Sequence, residues 1–139
     1  MATDLLEKLE AGAHELGLTL QPEQSARLLK YLALLSQWGR VYNLTAIRDP
    51  QEGLTQHLLD CLAVIPPLRR HAPRGGLLLD VGSGAGLPGI PMAIAQPNAH
   101  FTLIEPMERR SDWLAEVVDE LGLANVTVKR ARAEEVGDV

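Results

Sequence analysis

The sequence predicts an α/β fold, with helices alone over residues 1–70 and strands alternating with helices over 71–139. Three observations carry this. Apolar residues recur at helical spacing up to about residue 65. Beyond residue 76, short apolar runs alternate with helical patterns, which implies parallel strands joined by right-handed crossovers. Between the first run and the helix that follows lies Asp80-Val81-Gly82-Ser83-Gly84-Ala85-Gly86-Leu87-Pro88, an acid, a glycine turn and a proline.

The elements follow in order. Leu5, Leu6, Leu9, Ala13 and Leu16 stripe one face of a first helix from Asp4, and Gly17 ends it. Pro22, a first-turn residue, opens a second helix to about Tyr42, striped by Leu28, Leu29, Leu32, Leu35 and Trp38. Trp38 and Tyr42 fall on that stripe and are expected to pack rather than to stack on bases. Residues 43–50 read as a loop, and about 51–65 as a third helix stopped by Pro66-Pro67. The segment from Pro66 to Gly76, with three prolines and two glycines, reads as a linker. Strands are then expected at Leu77–Val81, His100–Glu105 and Asn125–Arg130. The intervening helices are expected at about Pro88–Gln96, before Pro97, and at about Arg109–Leu121, before Gly122.

Composition narrows the function classes. Of 139 residues, 46% are hydrophobic and 22% charged, as in an ordinary globular domain. The one cysteine, Cys61, sits on a largely apolar helix face and is expected to pack as a small hydrophobe; no Cys–His spacing suggests a metal. Neither a leader nor a membrane-spanning run is read, and a cytoplasmic location is expected. The net charge of −5 argues against nucleic-acid binding by the whole surface. A local basic patch would suffice, and two basic groups stand out: Arg27, Lys30, Arg40 and Arg48, and Lys129, Arg130 and Arg132. A solvated charged face is the plain alternative for each.

The glycine turn marks a nucleotide-type site, because loops without Cβ atoms let a ligand approach the backbone closely. A dinucleotide fingerprint, G-x-G-x-x-G, would place its third glycine at position 87, which is Leu87. A pyrophosphate needs that helix start bare, whereas S-adenosylmethionine has no phosphate and tolerates Leu87-Pro88. Glu105 follows the second strand, 19 residues after Gly86, where an acid can accept ribose hydroxyls. The plain alternative is a solvent-facing acid at a strand end.

Asp80 to Pro91, DVGSGAGLPGIP, resembles the cofactor loop of the RsmG (GidB) family of ribosomal RNA methyltransferases. Asn43-Leu44-Thr45-Ala46-Ile47 and His57-Leu58-Leu59-Asp60-Cys61-Leu62 resemble two further motifs of that family, in order and spacing, with Cys61 where serine is usual. The resemblance covers essentially the whole chain. It implies a helical cap followed by a Rossmann-like class I S-adenosylmethionine-dependent methyltransferase domain. The implied reaction is methylation of guanine N7 in small-subunit (16S) ribosomal RNA. A full sheet of that kind has more than three strands, so the chain is expected to be truncated after Val139.

The implied cofactor residues are Gly82, Ser83 and Gly84 at the methionine end, Leu87 against it, Glu105 at the ribose, and Ala133 and Glu134 flanking the adenine. Glu134 could otherwise begin an acidic helix turn. Asp80 either reaches the cofactor amino group through water or caps the loop amides. Asn43, Thr45, Arg48 and His57 are the candidates for touching RNA, with Asn43 and Thr45 expected first to tie their loop to the cofactor domain. His57 and Asp60 share a helix face, and hydrogen bonding in a buried setting is favoured over acid–base work for the pair. No catalytic residue, metal or membrane contact is expected. The alternatives are a non-catalytic module that holds cofactor or ribosome, and a nicotinamide-dependent oxidoreductase, against which Leu87 and Pro88 argue.

Overall fold

The computed structural model describes residues 2–42, 58–67, 77–81 and 89–132. The chain divides into two compact units, Met1–Pro73 and Arg74–Val139. Residues 43–57, 68–76, 82–88 and 133–139 lie outside the described part, as do the side chains of Trp38 and Tyr42.

In the first unit, helix α1 runs Ala2–Glu15 and helix α2 runs Pro22–Tyr42. Helix α1 ends where the sequence places its stop. Gly17 takes φ +81°, its N–H donates to the His14 carbonyl, and the Leu18 N–H reaches back to Ala13. This closure needs a left-handed residue, which glycine adopts without a Cβ clash. At the start of α2 the Gln24 side chain accepts the Gln21 N–H at 2.7 Å, one half of a capping box before Pro22. Leu9, Ala13, Leu28, Leu32 and Leu35 are buried, as their spacing implies, and so is Tyr31. Gly12 is the close-approach point between α1 and residues 58–62. A Cβ there would meet Leu59 Cδ1 at 2.6 Å.

Residues 58–62 are helical, with Leu58, Cys61 and Leu62 buried at i, i+3 and i+4. The expected single helix up to Ile65 is corrected here. A turn at residues 63–64 interrupts it, where the Val64 N–H donates to Cys61, three residues back. Helix resumes at 65–67, so Pro66 and Pro67 stand in a helical turn instead of ending one or opening the linker. Proline is tolerated in a first turn, where its missing N–H would have no intrahelical partner.

In the second unit, β1 (Leu77–Val81), β2 (His100–Ile104) and β3 (Val126–Lys129) form a parallel sheet in the order β1-β2-β3. Helix α3 (Gly89–Ala95) joins the first pair and packs against β2; helix α4 (Glu108–Leu121) joins the second and packs against β3. All seven residues of α3 are buried, as expected of a helix apolar all round. Trp113, Leu114, Val117 and Leu121 form the buried face of α4. Gly122 closes α4 as Gly17 closes α1, with φ 65° and ψ 40° and the Leu123 N–H reaching back to Val118. The element ends differ from the sequence expectation by one or two residues, the ordinary scatter of frayed termini.

At the amino end of the sheet, Asn125 acts as a latch. Its side-chain amide donates to the carbonyls of Ala93, Gln96 and Ala99 at 3.0, 3.1 and 3.0 Å. The Ala93 carbonyl would normally accept an amide four residues on, but that residue is Pro97, which has no N–H. Asn125 supplies the missing donor and ties the end of α3 to the start of β3.

Candidate functional site

Register decides where the site can be. Val81 pairs with Ile104 and Ile104 with Lys129, so the three strands end level with one another. The chain therefore leaves β1 toward the glycine loop at the level where β2 delivers Glu105. Parallel α/β sheets bind ligands at this carboxyl end.

Glu105 is held by both its main chain and its side chain. Its N–H donates to the Lys129 carbonyl at 3.0 Å, carrying the ladder one residue past Ile104. Its Oε2 accepts the Met107 N–H at 2.8 Å. The residue is only 2% exposed, which removes the alternative of a solvent-facing acid. Met107 is the N-cap of α4, has no side-chain cap bond, and passes its own carbonyl to the Ser111 N–H at 2.9 Å. The Glu105 carboxylate thus sits beside the amino end of a 14-residue helix, where the helix field favours a negative charge. A carboxylate has about four acceptor sites, so it can take an amide and hydroxyl donors together.

The edge is otherwise basic. Arg109, Lys129, Arg130 and Arg132 are exposed, Arg110 is half-buried, and Arg130 lies 3.8 Å from Glu108 across the gap between β3 and α4. Met107 is 54% exposed, one of two large apolar side chains so exposed among the described residues.

Of the residues expected from sequence to form the site, Glu105 is described in full and Asp80 by its place in β1, paired with Leu103. Gly82, Ser83, Gly84, Leu87, Ala133 and Glu134 lie outside the described residues, as do Asn43, Thr45, Arg48 and His57. Asp60 is described, and the expectation of a buried setting is corrected: it is exposed. The buried positions 58, 61 and 62 define the inner face of that helical turn, and position 60 falls opposite. Cys61 is buried and forms no disulfide, as its apolar face implied. Among the described residues, no group of three His, Cys, Asp or Glu side chains could hold a metal, and no helix is long and apolar enough to cross a membrane. Sequence reading missed the Met107 amide and the Arg109–Arg110 pair. Two arginines in the first turn of a helix, against its dipole, were the available signal for the second.

Comparison with known proteins completes the picture. Residues 24–138 match the family model GidB, rRNA small subunit methyltransferase G. The chain belongs to the GidB family. Curated relatives named ribosomal RNA small subunit methyltransferase G include those of Acidovorax ebreus and Ralstonia nicotianae. The first is 46% identical over 95% of this chain and 62% of the relative. The second is 47% identical over 97% and 62%. That of Ectopseudomonas mendocina is 48% identical over 92% and 58%. This chain spans about three-fifths of the length of the GidB relatives it matches.

Proposed function

We propose that this chain is the cofactor-binding part of an S-adenosylmethionine-dependent methyltransferase acting on guanine N7 of small-subunit ribosomal RNA. The buried Glu105 at the carboxyl end of β2, in a member of the GidB family, carries the reading. The consecutive parallel order β1-β2-β3 is the order of one half of a doubly wound sheet, which supports a Rossmann-like class I domain. The helical unit before it is proposed as the cap.

The cofactor's chemistry fits the donor set. Glu105 offers carboxylate oxygens to a ribose diol and is already oriented by the Met107 N–H. Gly82, Ser83 and Gly84 would hold the methionine end through backbone groups, Leu87 would pack against it, and Ala133 and Glu134 would flank the adenine. S-adenosylmethionine supplies an electrophilic methyl group on a sulfonium. Guanine N7 carries a lone pair and no proton. The protein therefore has no proton to remove before transfer, and its task is to align the acceptor with the methyl group. His57 and Asp60 are consequently read as structural or as RNA-positioning, and Asn43, Thr45 and Arg48 are proposed as RNA contacts.

Isothermal titration with S-adenosylhomocysteine, with NAD as control, tests the reading. Saturable binding of the first alone is expected. Binding of NAD alone would replace the methyltransferase by an oxidoreductase. Incubation with small-subunit RNA and labelled methyl donor, followed by nucleoside analysis, then separates an enzyme, which yields 7-methylguanosine, from a binding module, which yields none.

A further inference from the structure

Much of the charge on helix α4 runs against its dipole, although Glu108 in the first turn suits it. Arg109 and Arg110 occupy the first turn, where the helix dipole disfavours cations, and Asp119 and Glu120 occupy the last, where it disfavours anions. Glu108, Asp112, Glu116 and Glu120 follow one another at intervals of four, a like-charge stripe that the helix would be better without. Arg109 and Arg110, set against the helix field, are where a demand from outside the fold would show.

The lysines and arginines show what that demand is. In the described part of the second unit there are five, namely Arg109, Arg110, Lys129, Arg130 and Arg132. All five stand at the carboxyl edge, in the first turn of α4 or at the end of β3 and just beyond. The 3.8 Å approach of Arg130 to Glu108 and the bond from the Glu105 N–H to the Lys129 carbonyl bring these two segments together. In the described part of the second unit, lysines and arginines are thus collected on one edge, with Glu108 among them, and anions along the shaft of α4. A polyanion is drawn to the first and repelled by the second.

We propose that this edge, formed by the first turn of α4 and the end of β3, is a docking surface for an RNA phosphate backbone. Lys129, Arg130 and Arg132 form its exposed centre, and Arg109 and Arg110 its flank. The choice of RNA as the polyanion rests on the methyl-transfer reading. Phosphate contacts of this kind set position and orientation while leaving base choice to other residues.

Fluorescence anisotropy of the chain with a labelled RNA stem-loop, over a range of salt, tests this. The exposed triple variant K129Q/R130Q/R132Q is expected to bind about tenfold or more weakly at low salt, with a salt slope shallower by about two to three. A variant of the other basic group, R27Q/K30Q on α2, is expected to retain affinity and slope. Thermal melts by circular dichroism confirm that each variant is folded. Equal RNA affinity for the triple variant and the parent overturns the proposal, as does absence of RNA binding by the parent, or loss confined to the α2 variant. Titration of the same samples with S-adenosylhomocysteine keeps the two readings apart. Cofactor binding with RNA affinity indifferent to the edge sinks only the docking surface. An edge-dependent RNA affinity without cofactor binding sinks only the methyltransferase.

Discussion

The two ends of the three-stranded sheet are built on opposite principles. At the amino end, polar groups are spent on one another: Asn125 satisfies three carbonyls, and His100 Nε2 hydrogen-bonds with Thr127 Oγ1 at 2.9 Å across the strands. At the carboxyl end, a buried acid accepts a helix amide, and exposed cations stand on the neighbouring segments. The first end closes the fold on itself. The second gathers charged groups at the end where parallel α/β sheets bind ligands. Substitutions at the two ends should therefore fail in different assays.

The largest effect is expected at Glu105. Glu105→Ala should weaken S-adenosylhomocysteine binding by about tenfold to a hundredfold, since a bond to a charged group contributes roughly 1.5–3 kcal/mol. Calorimetry measures this, and unchanged affinity would remove Glu105 from the site. Asn125→Ala at the opposite end should lower stability by about 1–3 kcal/mol, because acceptors shielded by the latch lose their donor. Chemical denaturation reads that loss, while cofactor affinity of the folded fraction should stay as it was. A cofactor defect without a stability defect would abolish the distinction between the ends.

Gly122→Ala probes the link between them, since this glycine closes the helix that begins at the carboxyl end and ends near the amino end. A Cβ at φ 65° should cost about 1 kcal/mol in a denaturant titration. Gly17→Ala should cost a similar amount, because the space around it is open and only the left-handed backbone resists. The smallest effect belongs to Glu108→Gln. Its ion pair with Arg130 is solvent-exposed on both sides, so stability should change by less than about 0.5 kcal/mol. Because a negative charge leaves the basic edge, RNA affinity by anisotropy should rise slightly.

Much of this comparison was readable from residue order. The glycine stops, the proline start of α2, the parallel strands and the acid after β2 each depend on neighbours a few positions away, and a sequence displays those directly. Asp60 and residues 65–67 show the limit. Their motif and their prolines suggested a buried pair and a helix end, and packing of Leu58, Cys61 and Leu62 with a fresh helical turn decided otherwise.

The sequence by itself determined the elements and their class: where α1 and α4 close, which runs become strands, and that an acid ends the second of them. Backbone sterics and apolar periodicity act locally, so they are written in the chain. Tertiary structure alone decided that the strands end level, that Glu105 is buried and held by Met107, and that Asn125 answers a carbonyl orphaned by Pro97. The level strand ends and the Asn125 latch depend on segments more than twenty residues apart, and register is chosen by packing the whole sheet at once; the Met107 bond is local, but the burial of Glu105 is not.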